Sequence, residues 1–165
     1  MPEYLTTRLL IVLLVGLAIS GCGFRLAGTT SLPPELKQIY LMTSDFSSAQ
    51  QNALRQQLER AGAEVASQPG SQAVRLSVSL KIVPDRRLVT SASNGRIVER
   101  LARSLNYSLK DADGKLLAPA TTLTQQRDIV LDDNNLLSSA VERRNVIENL
   151  EQSLYNQLIH QLKRI

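Results

Sequence analysis

The chain has 165 residues, a formal charge of +4, one cysteine, one histidine and no tryptophan. A single cysteine excludes a disulfide-stapled fold, so stability has to come from burial, for which a hydrophobic content of 43% in a chain of this length is ample. The basic balance suits nucleic acid, acidic lipid or a phosphorylated glycolipid as a partner.

The N-terminus reads as a secretory address: Arg8, an apolar run from Leu9 to Ile19, then the small residues Ser20 and Gly21 before Cys22. The apolar run has 11 residues, too few to span a bilayer, which takes about 20. A plain signal has no use for a cysteine at the cut, and Ile19-Ser20-Gly21-Cys22 resembles the lipobox of bacterial lipoproteins. That resemblance implies diacylglyceryl transfer to the Cys22 thiol, cleavage before it, and acylation of the new amino group. Residues 1–21 are then a removed signal peptide, and residues 22–165 are a single lipid-anchored domain. Export removes nucleic acid from the candidate partners.

Phe24 to Ala27 is short and extended, and the breakers from Gly28 to Pro34 make a loop. A strand is expected at Gln38 to Met42. Ser47 or Ser48, with Gln50 or Gln51 three residues on, forms a capping box for a helix over about 48–61. Leu54, Leu58 and Ala61 give that helix one apolar face, and Gly62 stops it. Glu64 to Ala66 is a brief strand. From Val74 to Ile82 apolar and polar residues alternate strictly, the mark of a strand with one wet face. Asn94-Gly95 suits a type I′ turn, which joins this strand to extended sequence resuming at Arg96.

A two-residue turn at Asn94-Gly95 predicts a long hairpin in which Ala92 faces Ile97, Leu88 faces Leu101, Arg86 faces Arg103, Ile82 faces Tyr107 and Leu80 faces Leu109. Pro84 cannot donate to the ladder and marks a bulge or bend, so the register is expected to hold best near the tip. Asp111 to Gly114 is another turn. Leu116 to Leu131 is extended sequence broken by Pro119, and the chain then offers helix caps at Asp132 to Asn135 and a capping box at Ser139 with Glu142. The last helix buries Ile147, Leu150, Leu154, Leu158 and Leu162, widened by Tyr155 and Ile159, with Lys163 and Arg164 at its C-terminus. The order predicts an α+β fold, two helices packed on one face of a small mixed, mostly antiparallel sheet with a long β-hairpin.

No catalytic constellation, metal-ligand spacing or cofactor motif appears, and His160 stands alone on the last helix. What remains is charge placement. Residues 75–103 hold Arg75, Lys81, Arg86, Arg87, Arg96, Arg100 and Arg103 against Asp85 and Glu99, a net +5 that leaves the rest of residues 22–165 at −1. Six of those seven are arginine, whose planar fork suits phosphate. Arg86, Arg87, Arg96, Arg100 and Arg103 are therefore the candidate binding residues. The alternative is that basic residues on a strand edge simply guard against aggregation.

Three features together resemble the LptE family of LPS-assembly lipoproteins: Gly21-Cys22-Gly23-Phe24-Arg25-Leu26, Asn94-Gly95 within a long strand pair, and Asp133-Asn134 leading into a terminal amphipathic helix. The resemblance implies an α/β sandwich lodged as a plug in the LptD β-barrel of the outer membrane, assisting lipopolysaccharide delivery and binding lipopolysaccharide itself, with no cofactor and no catalysis. It also implies anchorage in the inner leaflet of the outer membrane through acylated Cys22, facing the periplasm; Gly23 is not the aspartate associated with inner-membrane retention. A periplasm-facing lipoprotein that scaffolds or regulates cell-wall enzymes would share the tether and the α+β core.

Overall fold

The alternation that begins at Val74 builds the central strand. A computed structural model describes residues 31–165 apart from 71, 92–95 and 133; Cys22 and the signal segment lie outside the described residues. The strands are β1 (Gln38–Ser44), β2 (Glu64–Ala66), β3 (Val74–Ser91), β4 (Arg96–Lys110) and β5 (Leu116–Asp132), and the helices are α1 (Ser48–Arg60) and α2 (Leu136–Leu162). They form one five-stranded sheet in the order β2-β1-β3-β4-β5. β1 is parallel to β2 and to β3, while β3, β4 and β5 are antiparallel neighbours, so the sheet is mixed and mostly antiparallel as expected.

Local chemistry explains the helix ends. Ser47 Oγ accepts from the Gln50 N–H while Gln50 Oε1 accepts from the Ser47 N–H, the reciprocal capping box that satisfies two otherwise orphaned donors. At the other end of α1, Ala63 N–H reaches Leu58 O at 3.0 Å and Gly62 N–H reaches Glu59 O at 2.9 Å, a Schellman closure. Gly62 sits at φ +92°, where a Cβ would be strained. For α2 the cap is Asn135, whose Oδ1 accepts from Ser138 N–H. Ser139 does not form the expected capping box with Glu142. Its hydroxyl instead donates to Asp132 O and accepts from Asp132 N–H, tying the end of β5 to the helix.

Both helices cover one face of the sheet. Leu54 and Leu58 of α1 join Leu154, Tyr155, Leu158 and Leu162 of α2 over Ile39 and Leu41, Val74 to Leu80, and Leu105 to Leu109. Each fully buried leucine is worth about 1.5–3 kcal/mol, so this layer dominates stability. A short 3₁₀ turn at Pro34–Leu36 lies between the expected loop and the expected first strand, and its Leu36 is buried in the same core. β5 runs unbroken through Pro119, contrary to the expected break. The β4–β5 register shifts between Tyr107 and Leu109, opposite that proline, and β5 is an edge strand where a missing N–H costs little.

The hairpin register corrects the expectation. Ser91 pairs with Arg96, two residues away from the expected register, and residues 92–95, with the expected Asn94-Gly95 turn and the Ala92–Ile97 pair, lie outside the described residues. Bulges follow at 84–85 and at 88, shifting β3 by one residue each time. Leu80 therefore faces Leu105, Ile82 faces Arg103, and Arg86 faces Arg100; Leu88 is bulged out rather than opposite Leu101. Pro84 does sit at an irregularity, as its missing N–H requires, and the displacement from the expected register grows from two residues beside the tip to four in the body.

Candidate functional site

Each bulge exchanges the faces of β3, and this decides where every hairpin charge goes. Val74, Leu76, Val78 and Leu80 of β3 are buried under the helices, whereas Ile82, next in the alternation, is 73% exposed; after the first bulge Arg86 pairs with Arg100 on the open face, and Asp85 is delivered under α2. There Arg143 of α2 donates through one guanidinium nitrogen to Asp85 Oδ2 and through another to Glu99 Oε2. Arg103, 5% exposed, donates to Ala102 O at 2.8 Å and lies 3.5 Å from Asp85 Oδ1. Two cations and two anions thus close on one another beneath the helix, a pairing that offsets part of the desolvation cost, although Asp85 Oδ1 is buried without a hydrogen-bond partner among the described residues.

Arg86 and Arg103 consequently do not face each other; the Ser91–Arg96 register and the bulges separate them. On the open face, Arg100 makes a bidentate bridge to Asp128 of β5, at 2.6 and 2.8 Å. Asp128 holds the Arg100 guanidinium even more firmly charged, and Arg100 pulls the Asp128 carboxyl below its ordinary range. Arg96 stands opposite Asp132 and is not free of partners. Arg86 and Arg87 are exposed and make no ion pair among the described residues, beside Leu88, which is 38% exposed. The five candidate arginines are thus divided: one buried in a charge cluster, one bridged, one partnered, and two presented to solvent.

A cleft of about 690 Å³ opens between the N-terminus of α1 and the middle of α2, lined among others by Gln50, Ala53, Arg143, Glu151 and Tyr155. Gln50 Nε2 donates to Glu151 Oε1 at 2.7 Å. Burial pushes the Glu151 carboxyl upward, against the Gln50 hydrogen bond and the nearby Arg103 charge. Tyr155 is fully buried, stacked on Phe46 at a ring separation of 6.3 Å, and its hydroxyl has no hydrogen-bond partner among the described residues. The same helix leaves Leu136, Leu137 and Val141 exposed in its first two turns. No group of three or more metal-ligating side chains occurs among the described residues.

Reading charge counts alone missed Arg143 and the buried role of Arg103. A signal for both is present: Arg103 interrupts the alternation Leu101, Leu105, Tyr107, Leu109, and Arg143 lies at helical spacing ahead of Ile147, Leu150 and Leu154.

Comparison with known proteins places this geometry. The chain is 30% identical over 164 residues to an LPS-assembly lipoprotein LptE of Yersinia enterocolitica, covering 94% of this chain and 74% of that one. It is 28% identical over 163 residues to the LPS-assembly lipoprotein LptE of Photorhabdus laumondii, covering 94% and 79%. The solution structure of an uncharacterized lipoprotein B from Nitrosomonas europaea superposes with a TM-score of 0.67 at 20% identity, over 86% of this chain and 90% of that one, and so shares the fold. The family model described as LptE, lipopolysaccharide-assembly, matches residues 36–164, from the buried Leu36 through the end of α2. The chain belongs to the LptE family.

Proposed function

We propose that this protein is an outer-membrane lipoprotein, acylated at Cys22 after loss of residues 1–21 and held on the periplasmic side, that lodges in the LptD β-barrel and assists lipopolysaccharide transport to the outer leaflet. Its role is binding and positioning, without catalysis. Family membership supports the assembly role. Two surface features support an enclosing partner: the long unpaired edge of β5, and the exposed Leu136, Leu137 and Val141 at the start of α2.

The observation that carries lipopolysaccharide binding by the hairpin is that Arg86 and Arg87, immediately before the exposed Leu88, are exposed and make no ion pair among the described residues. Guanidinium forks bind phosphate by charge-assisted hydrogen bonds, and an adjacent leucine can meet an acyl chain. Arg100, neutralised by Asp128, and Arg103, held in the charge cluster, support the ribbon rather than the ligand.

Substituting Arg86→Ala together with Arg87→Ala is expected to weaken lipopolysaccharide binding about 10-fold or more at moderate salt, each charged hydrogen bond being worth roughly 1.5–3 kcal/mol. Thermal stability should be unchanged, since neither side chain packs. Neutralising Lys163 and Arg164 at the far end of α2 should leave binding intact. A double variant that binds as tightly as the parent would overturn the hairpin site and leave these charges as edge protection.

A further inference from the structure

The helix-covered face holds two apolar cores rather than one. The body core contains twenty-two buried residues among those described, and the second contains four, Leu101, Ile129, Val146 and Leu150, flanked by Leu131 and Ile147. Between them every crossing element carries polar or charged groups. On β4, Leu101 belongs to the small core, Leu105 to the large one, and the buried Arg103 lies between. On β5 the corresponding interruption is Gln125 and Arg127, between Leu123 and Ile129, and Gln125 Nε2 donates to Gln157 of α2 at 3.1 Å. On α2 it is Glu151, between Leu150 and Leu154; on β3 it is the bulge at Pro84-Asp85.

A polar seam thus crosses the domain between the cores from Gln50 through Glu151 and Arg103 to Asp85, and Arg143, on the far side of the small core, reaches Asp85 and Glu99 from the ribbon end. Buried ion pairs hold parts in register but return little net stability, because desolvation consumes most of the Coulomb attraction. The small core has few apolar contacts of its own, and β3 beyond Ser79 has no β1 residue paired to its outer side. Regions with little buried apolar area open before the global fold does.

We propose that the ribbon end of the domain, comprising residues 82–91 and 96–101, residues 127–132 and the first three turns of α2, opens as a cooperative unit separate from the body, with Arg143 as the clamp that holds it closed. The Arg143 fork joins α2 to both Asp85 and Glu99, so one side chain ties the helix to two strands. Opening would uncover Leu101, Ile129, Val146 and Leu150 while leaving α1, β1, β2 and the body core in place. The unit also carries Arg86 and Arg87, but its opening does not depend on what they bind.

Amide hydrogen exchange on the full-length chain in detergent tests this. Amides of residues 96–101, 127–132 and 136–147 should exchange as one class, at least about 10-fold faster than those of residues 74–80 and 105–109, and with a weaker denaturant dependence. Arg143→Gln should accelerate the ribbon class about 10- to 100-fold and leave the body class unchanged, because it leaves Asp85 and Glu99 without their shared cation. Arg143→Lys keeps the charge, loses the fork, and should accelerate that class by a smaller factor; it carries the test if the glutamine variant does not fold. Equal rates with equal denaturant dependence in the two regions of the parent would overturn the proposal, as would an equal acceleration of both regions by either substitution.

Discussion

Replacing Tyr155 by phenylalanine should stabilise the protein. The side chain is fully buried under the helix, and its hydroxyl has no hydrogen-bond partner among the described residues. Burial pushes its ionisation upward and the neighbouring Glu151 charge adds to that, so the phenol stays neutral at any working pH and acts only as a polar group held out of water. An unsatisfied buried hydroxyl costs about 1–3 kcal/mol, and phenylalanine removes it without changing the ring that stacks on Phe46. With unfolding entropy near 2.1 cal/mol/K per residue, a domain of about 140 residues gains roughly 3 °C in Tm per kcal/mol, so the variant should melt about 3–9 °C higher. Urea unfolding followed by circular dichroism should show a raised midpoint and an unchanged slope. A variant no more stable than its parent would show that the hydroxyl is satisfied in the native state, and the interior between α1 and α2 would then be wetter than described.

Glu151→Gln should remove a pH dependence. Burial raises the folded carboxyl above its ordinary value, so the stability linked to this group is fully present below the unfolded pKa and is lost as pH rises through the folded one. The glutamine variant, which keeps an oxygen for Gln50, should gain relative to the parent from the ordinary carboxylate range upward; denaturant midpoints across pH check this, and a constant difference at all pH values would refute it. Cys22→Ala should leave uncleaved precursor or release the domain from membranes. Mass analysis of the native protein should find an acylated Cys22, and an unmodified cysteine in the membrane fraction would refute lipidation.

Much of the fold was legible because it rests on period and punctuation. Val74 to Ile82 alternates cleanly, Leu54 and Leu58 recur at helical spacing behind a Ser47 cap, and the stripe from Ile147 to Leu162 can only be one face of a long helix. The hairpin register was not legible, for a definite reason. In the body of the ribbon the true pairing is displaced by four residues from the one a two-residue turn gives, an even number that keeps each side chain on its face. Leu80 meets a leucine either way, Leu105 in the fold and Leu109 in the expectation, so hydrophobic matching cannot separate the two. The bulge at Pro84 was readable from its missing N–H, but the one at Leu88 has no comparable signature. The site suffered accordingly. Counting basic residues found the ribbon, whereas the division into buried, bridged and free arginines depends on Asp85, Asp128 and Arg143, which reach the hairpin charges only through the bulges, a neighbouring strand and a packed helix.

The most direct measurement is the set of molecules that remain with the protein after gentle solubilisation of cell envelopes, purified through the chain and washed with high salt. Lodging in a barrel predicts one β-barrel protein at a fixed ratio together with lipopolysaccharide. Cross-linkers at Thr122 on the open face of the sheet, Glu59 at the end of α1 and Leu137 at the start of α2, all exposed, should all trap that same barrel protein. Recovery of the chain with neither a barrel protein nor lipopolysaccharide, or capture of different proteins from the three positions, would contradict it.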